Sequence, residues 1–382
     1  MTGRRIKPEN VIETFKGLAF TAESYEAIES YLSMAPHPPR FASIRQFIIF
    51  HKVPLKDALV KKLADFPHLS LVNENPIVFQ VNITQSSTRK ALEGVFVVLP
   101  GSQPNISRIV TVSYTDFWAR AIKPLVRKIY PDGMLVFFRQ DEIELALLEL
   151  EKSYGSNYRV RIADVTSKEE RPSGQDSVRK SYDTDRRWTD LSIPDVFTQA
   201  KERGQWFTGL RFVIQQKRKN SESFIHRGAG RLYKYGEISI DSHYQETTSA
   251  LLAPLESFVS KRLMLLEKRG IIERGYEPSK PIEILYDYDA FSQVEEVRRF
   301  GKVMLSYPNS TKAVFHSNPY YHASIADFLD GSSFDIWVLS ASRVVIVPQA
   351  KSSTQGFERL ISHIFSNFGE GNVNEYSSQE SK

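Results

Sequence analysis

Between Val314 and Val347 the chain gathers two histidines, His316 and His322, and three aspartates, Asp327, Asp330 and Asp335, in a stretch patterned as β-strand. Imidazoles and carboxylates do general acid–base work, ligate metals and, beside a hydroxyl such as Ser324, activate a nucleophile. Strands would hold such groups stiffly. His316, His322, Asp327 and Asp335 are thus the candidate catalytic residues of a hydrolase or nuclease.

Register decides what these side chains can do together. Asp330-Gly331 between two apolar runs reads as a two-residue hairpin turn. That turn pairs Leu329 with Ser332 and Ile325 with Ile336, and it puts His322, Ser324 and Asp335 on one face. His322 and Asp335 then stand about four pairs apart, roughly 13 Å at ~3.3 Å per residue. A nucleophilic triad needs direct hydrogen bonds of about 3 Å. His316, just before Asn318-Pro319, could instead approach His322 across that bend, with a metal ion or phosphate between them. A second carboxylate pair, Asp287 and Asp289, follows the strand-like Ile282–Tyr286 and is the candidate site for a divalent metal. The alternative is that Asp289 caps the next helix. No other cofactor is expected.

Other chemistries are excluded or unsupported. The chain has no cysteine, which removes disulfides, zinc ribbons, iron–sulfur clusters and thiol catalysis. It contains no GxxxxGK[ST], HExxH or GxSxG, and Gly228 and Gly230 lack the spacing of a dinucleotide loop.

A different pattern lies between Arg203 and Lys234. Arg203, Arg211, Lys217, Arg218, Lys219, Arg227, Arg231 and Lys234 stand there against one acid, Glu222. The net charge of the whole chain is only +5, so this clustering says more about a polyanionic partner than the sum does. Read as one strand, Arg231–Ile240 alternates Leu232, Ile238 and Ile240, with Lys234 and Gly236 between them, against Arg231, Tyr233, Tyr235 and Glu237. Cations neutralise phosphates and flat rings stack on unpaired bases. Arg211, Lys217, Arg218, Lys219, Arg227, Arg231, Tyr233, Lys234 and Tyr235 are therefore the candidate nucleic-acid-binding residues.

The elements that must position these residues follow from periodicity. Ile44–Phe50, Ile77–Ile83, Val95–Leu99, Ile109–Ser113, Leu135–Phe138, Trp206–Gln215 and Ile282–Tyr286 read as strands. Glu23–Ser33, Lys56–Asp65, Asp141–Leu150, Ile193–Glu202, Pro254–Lys268 and Ser292–Phe300 read as helices, and Asp116–Lys123 as one that stops or kinks at Pro124. A last amphipathic helix carries Phe357, Leu360, Ile361, Ile364, Phe365 and Phe368 behind a capping box at Ser352 and Gln355, and Gly369 ends it. No internal repeat is visible.

Strands and helices interleave without a βαβ rhythm. The expected fold is α+β: two domains with mixed or antiparallel sheets flanked by helices, and a C-terminal β-hairpin followed by an amphipathic helix. The expected divisions are an N-terminal domain 1–163, a polar linker or mobile loop 164–192 whose Trp188 docks on a domain, a C-terminal domain 193–370 and a disordered tail 371–382.

Hydrophobic residues at 41% supply real cores, and no apolar run approaches the ~20 residues of a membrane span. The basic N-terminus lacks the apolar core of a signal peptide, so a cytoplasmic location without membrane contact is expected. The leading expectation is a nucleic-acid-binding protein, for DNA or RNA, acting as a subunit of a larger cytosolic assembly. The alternatives are the hydrolase or nuclease above and an interaction module that docks a protein partner without nucleic acid.

Overall fold

The computed structural model describes residues 24–34, 43–74, 78–84, 91–169, 191–202, 205–241, 244–269, 280–317 and 320–377, with three isolated positions before them. Two compact units divide at Phe258 and Val259. The fold is α+β, as expected, with antiparallel sheets of ten and six strands. No described helix is long and apolar enough to cross a membrane.

In the first unit, α1 (Tyr25–Met34) precedes β1 (Ile44–His51) and α2 (Leu55–Leu63). Strands β2 (Leu69–Glu74), β3 (Val78–Ile83), β4 (Leu92–Pro100) and β5 (Ile106–Val112) form an antiparallel meander. Helix α3 then runs from Thr115 to Arg127, and β6 (Gly133–Leu135) closes this half. The second half holds α4 (Gln140–Ser153), β7 (Tyr158–Glu169), α5 (Ile193–Glu202), β8 (Gln205–Lys217), β9 (Phe224–Tyr233) and β10 (Glu237–Ile240), then helix α6, which begins at Tyr244 and runs past the division at Phe258 to Glu267. The strand order is β2-β3-β4-β5-β1-β10-β9-β8-β7, with β6 also on β1. Strand β1 therefore joins the two meanders. It pairs with β5 from Ile44 to Phe50 on one edge, and with β10 and then β6 on the other.

Burial explains the sequence pattern of this unit. Phe47, Ile49, Phe79, Val81, Phe96 and Ile109 face α2 and α3 in one core. Phe47 stacks on Trp118 at 4.5 Å and Phe79 on Phe96 at 4.8 Å, each pair adding about 0.5–1.5 kcal/mol beyond its buried area. The helix at Pro124 does not stop. Its middle, Trp118–Ile122, is a π turn closed by Lys123 N–H on the Trp118 carbonyl, and the proline follows directly. The wider turn accommodates a residue that has no N–H and would clash with the carbonyl four residues back. Helix α6 repeats the device: Ala253 N–H bonds the Thr248 carbonyl just before Pro254.

The second unit runs β11 (Ile282–Leu285), α7 (Val294–Leu305), β12 (Ser310–His316), β13 (His322–Asp327), β14 (Ser333–Ser340), β15 (Arg343–Pro348), α8 (Thr354–Asn367) and β16 (Asn372–Glu375). Its strand order is β12-β13-β14-β15-β11-β16. This is the plan of the first half of unit one: strand, helix, four-stranded meander, helix, closing strand. In both, the last meander strand lies beside the first strand, which the closing strand flanks on its other edge. The C-terminal hairpin and amphipathic helix are present as expected, although the cap is Ser353, whose Oγ accepts from Gly356 N, and not Ser352.

Three expectations about organisation differ from the structure. Strands β7 and β8, on either side of the expected linker, pair along their whole lengths within one unit, and residues 170–190, including Trp188, lie outside those described. The expected disordered tail contains β16, whose polar side chains hid a strand held by main-chain bonds to β11 and by an Arg269–Glu375 ion pair of 2.6 Å. The segment Arg231–Ile240 is a hairpin and not one strand, because Gly236 at φ +67° turns the chain between β9 and β10.

His51 ties the end of β1 in place. Its Nδ1 lies 3.0 Å from the Val53 carbonyl and so carries the proton, leaving Nε2 to accept from the Ser107 hydroxyl at 2.8 Å. Burial lowers the pKa of this imidazole below its ordinary 6.5, so the fold favours the neutral form. The stability this contributes is complete above 6.5 and is lost as the pH falls from there through the lower folded value. Urea midpoints should therefore drop across that interval in the parent protein, and His51→Gln should flatten the drop; an unchanged acid limb in the variant would refute this assignment.

Candidate nucleic-acid interface

The pairing of six strands sets a transverse row of side chains on one face of the ten-stranded sheet. Thr111, Arg45, Ser239, Arg231, Arg211 and Asp164 are successive cross-strand partners from β5 to β7. Partners in antiparallel pairs share a face, so Arg45, Arg231 and Arg211 point the same way. Neighbouring strands are ~4.8 Å apart, which puts Arg211 beside Arg231 and Arg45 about 10 Å further across. Tyr233 lies two residues along the same face. Its ring covers Gly209, where any Cβ would run into it, and its hydroxyl accepts from Arg231 at 3.3 Å.

The cationic surface continues along the strands. Arg161 is opposite Val213, Arg159 opposite Gln215, and Lys217 follows on the same face, about 20 Å from Arg211 at ~3.3 Å per residue. The Arg159 guanidinium lies over the Phe224 ring at 3.7 Å. Beyond Lys217 the exposed turn carries Arg218 and Lys219, beside an open depression of ≈ 670 Å³ between Asn157 and residues 216–222.

The acids on this face offset only part of the charge. Asp164 meets Arg211 at 3.5 Å, and Glu151 meets the largely buried Arg161 at 3.0 Å. Glu237 accepts from Trp118 Nε1 at 2.9 Å and pairs with Lys123 at 2.8 Å. Burial lowers the pKa of Arg45, while Glu237, Asp241 and Tyr233 act to raise it, and a guanidinium stays charged throughout.

Of the sequence-predicted residues, Arg211, Arg231 and Tyr233 converge on this face, with Lys217, Arg218 and Lys219 at its far end. Arg227 is exposed in a bulge of β9 and donates to Gln216 at 2.7 Å. Lys234 does not belong to the surface. It is 3% exposed on the opposite face, with its ammonium 5.8 Å from the centre of the Phe137 ring. Tyr235 is exposed but sits in the turn, edge-on to Phe137. Three cations escaped the sequence reading: Arg45, Arg159 and Arg161 come from distant strands, and only strand pairing reveals their face.

The histidine–aspartate segment is built differently from its sequence reading. The turn spans Phe328–Gly331, closed by Gly331 N–H on the Asp327 carbonyl at 2.9 Å and by Asp327 N–H on the Ser332 carbonyl at 2.7 Å. The longer turn moves the register by two residues. Ile336 stands opposite Ala323, and Ile325 opposite Phe334, so the expected Ile325–Ile336 pair does not form. An even shift leaves every side chain on its expected face.

Ser324 now faces Asp335 and donates to its Oδ1, while Gln349 donates to Oδ2 at 2.8 Å. His322 bonds neither. It stacks on Trp337 at 3.4 Å, and its Nε2 is buried without a hydrogen-bond partner. A serine hydroxyl donated straight to a carboxylate, with the imidazole elsewhere, is not a triad.

Asp327 is a structural hub. Its carboxylate accepts from Tyr307 Oη at 2.6 Å, from Arg359 and from Leu329 N at 2.9 Å, in a fully buried position. His316 is the cross-strand partner of His322. Asp287 and Asp289 are exposed, and the next helix is capped by Gln293 with Glu296, not by Asp289. Among the described residues no group of three His, Asp or Glu side chains is placed to hold a metal ion.

Neither the protein-family models nor the curated proteins contain a match to this sequence.

Asp327→Ala should lower unfolding stability by about 3–5 kcal/mol, because Arg359 and Tyr307 lose their buried partner. Ser324→Ala, at a half-buried site, should change it by less than about 1 kcal/mol. Urea denaturation distinguishes the two, and equal losses would contradict the assignment of Asp327 as the hub.

Proposed function

We propose that this protein binds nucleic acid through the cationic face of β1, β9, β8 and β7. The observation that carries the reading is the row Arg45–Arg231–Arg211, three guanidiniums aligned by strand register beside Tyr233. Each guanidinium has five donors in a planar fork suited to phosphate oxygens. The row crosses the strands and the Arg161–Arg159–Lys217 line runs along them, so a polyanionic backbone can be followed for about 20 Å. The face is a sheet surface, which contacts phosphates and bases without a helix to place in a groove. Association with a larger assembly belongs to the same reading, with the exposed Lys217–Lys219 turn at the edge of the contact.

Binding measured by anisotropy on a labelled oligonucleotide should weaken steeply as salt rises. Changing Arg45, Arg211 and Arg231 together to Ser should reduce the slope of log affinity against log salt by about 2–3, at ~0.7–0.9 per phosphate contact. Changing Lys217, Arg218 and Lys219 together to Ser should lower both affinity and slope, with circular dichroism confirming the fold. Salt-independent binding, or slopes that both variants leave unchanged, would overturn the proposal.

A further inference from the structure

The cationic path on the ten-stranded sheet turns a corner at Arg211. From Arg45 through Arg231 to Arg211 it runs across the strands from β1 to β8, about 14 Å at ~4.8 Å per strand. From Arg211 it runs along β7 and β8 through Arg161 and Arg159 to Lys217, about 20 Å at ~3.3 Å per residue. One leg follows the hydrogen-bond direction and the other the strand direction, so the two are nearly perpendicular. The acids Asp164, Glu151 and Glu237 each meet one cation, Arg211, Arg161 and Lys123, and Asp241 acts on Arg45. Arg231, Arg159 and the Lys217–Lys219 turn leave the path net positive.

Helix α3 stands beside the first leg on the same face. Trp118 stacks on Phe47 at 4.5 Å and donates to Glu237 at 2.9 Å, and Arg45 donates to Thr115 Oγ1 at 2.8 Å where the helix begins. Phe47 is two residues from Arg45, so the helix rises about 7 Å from the row at ~3.3 Å per residue. Near the corner the Tyr233 ring covers Gly209, where a Cβ would lie 2.4 Å from it. A ring laid over bare backbone keeps its other side turned away from the sheet, and Tyr233 is only half-buried.

Resting on the nucleic-acid reading above, we infer that this face takes single-stranded nucleic acid, bent at Arg211 and with a base stacked on Tyr233. A duplex is stiff over ~150 bp, so it follows one leg and not the turn between them. Its major groove alone is about 8.5 Å deep, so its radius exceeds the ~7 Å between the Arg45 row and helix α3. A duplex can therefore lie only along the second leg, out of reach of Arg45. A single strand passes beside the helix, turns between successive nucleotides and offers a π-face on every base.

The test uses the full chain, with anisotropy across a salt series on an oligothymidylate of about 20 nucleotides and on a duplex of similar length. The single strand should bind roughly tenfold more tightly than the duplex at equal salt. Arg45→Ser should lower the salt slope by about 0.7 for the single strand and leave the duplex slope unchanged. Tyr233→Ala should weaken single-strand binding roughly tenfold with the slope kept, since no phosphate contact is removed. Tyr233→Phe, which retains the ring without its hydroxyl, should restore that loss. A duplex bound as tightly as the single strand, an equal effect of Arg45→Ser on both, or full affinity in Tyr233→Ala would overturn the inference. If the duplex binds as tightly while the triple arginine variant loses both ligands, the single-strand inference alone fails. If no oligonucleotide binds at all, the nucleic-acid reading fails with it.

Discussion

Strand β1 makes main-chain hydrogen bonds along both of its edges, and the first unit depends on that double pairing. Ile44 has Val112 on one side and Ile240 on the other, and the match continues residue by residue to Phe47. Alone, each four-stranded meander would leave an inner edge of unpaired N–H and C=O groups. With β1 between them, the meanders become one sheet. The same pairing carries Arg45 into line with Arg231 and Arg211, so the strand that joins the sheet also completes the cationic row. Burial supports it: Ile48 and Ile49 are fully buried on opposite faces.

The plan of strand, helix, meander, helix and closing strand occurs once in each unit, and the second half of unit one supplies another meander with its flanking helices. Helices cover one face of a meander and leave the other to be filled or exposed. In the β7–β9 region that face is lined by arginines, and in the second unit by aromatic rings. The two π turns ahead of Pro124 and Pro254 belong to this plan, since each sits in the helix that follows the last strand of a meander. They let the chain keep a proline within a continuous helix.

Charged groups inside the units are satisfied in sets. Arg108, buried in the first unit, reaches Glu29 at 2.6 Å, the Pro100 carbonyl at 3.2 Å and Tyr244 at 3.4 Å, with Glu256 at 3.8 Å. Arg262 makes a buried fork with Glu358 in the second. Asp327 binds Tyr307 and Arg359 there and fixes the start of the hairpin turn. A buried charge deprived of its partner is strongly destabilising, so such sets make position specific even where their net contribution to stability is small.

Apolar periodicity made most elements legible, because a strand with one buried face or a helix with one buried stripe leaves its period in the sequence. The α+β class, the last helix with Phe357, Leu360 and Ile364, and the faces of His322, Ser324 and Asp335 were determined at that level. Turn length was not: Asp330-Gly331 signals a hairpin, but the side chain of Asp327, held by Tyr307 and Arg359 from elsewhere in the chain, sets how many residues the turn contains. Strand β16 was invisible because main-chain bonds hold it, and these leave no trace in side-chain pattern. The sequence by itself determined that Arg211, Arg231 and Tyr233 carry the charge and ring of a surface. Only the tertiary structure decided that Arg45, Arg159 and Arg161 join them and that Lys234 does not, because long-range strand pairing, not sequence proximity, assigns a side chain to a face.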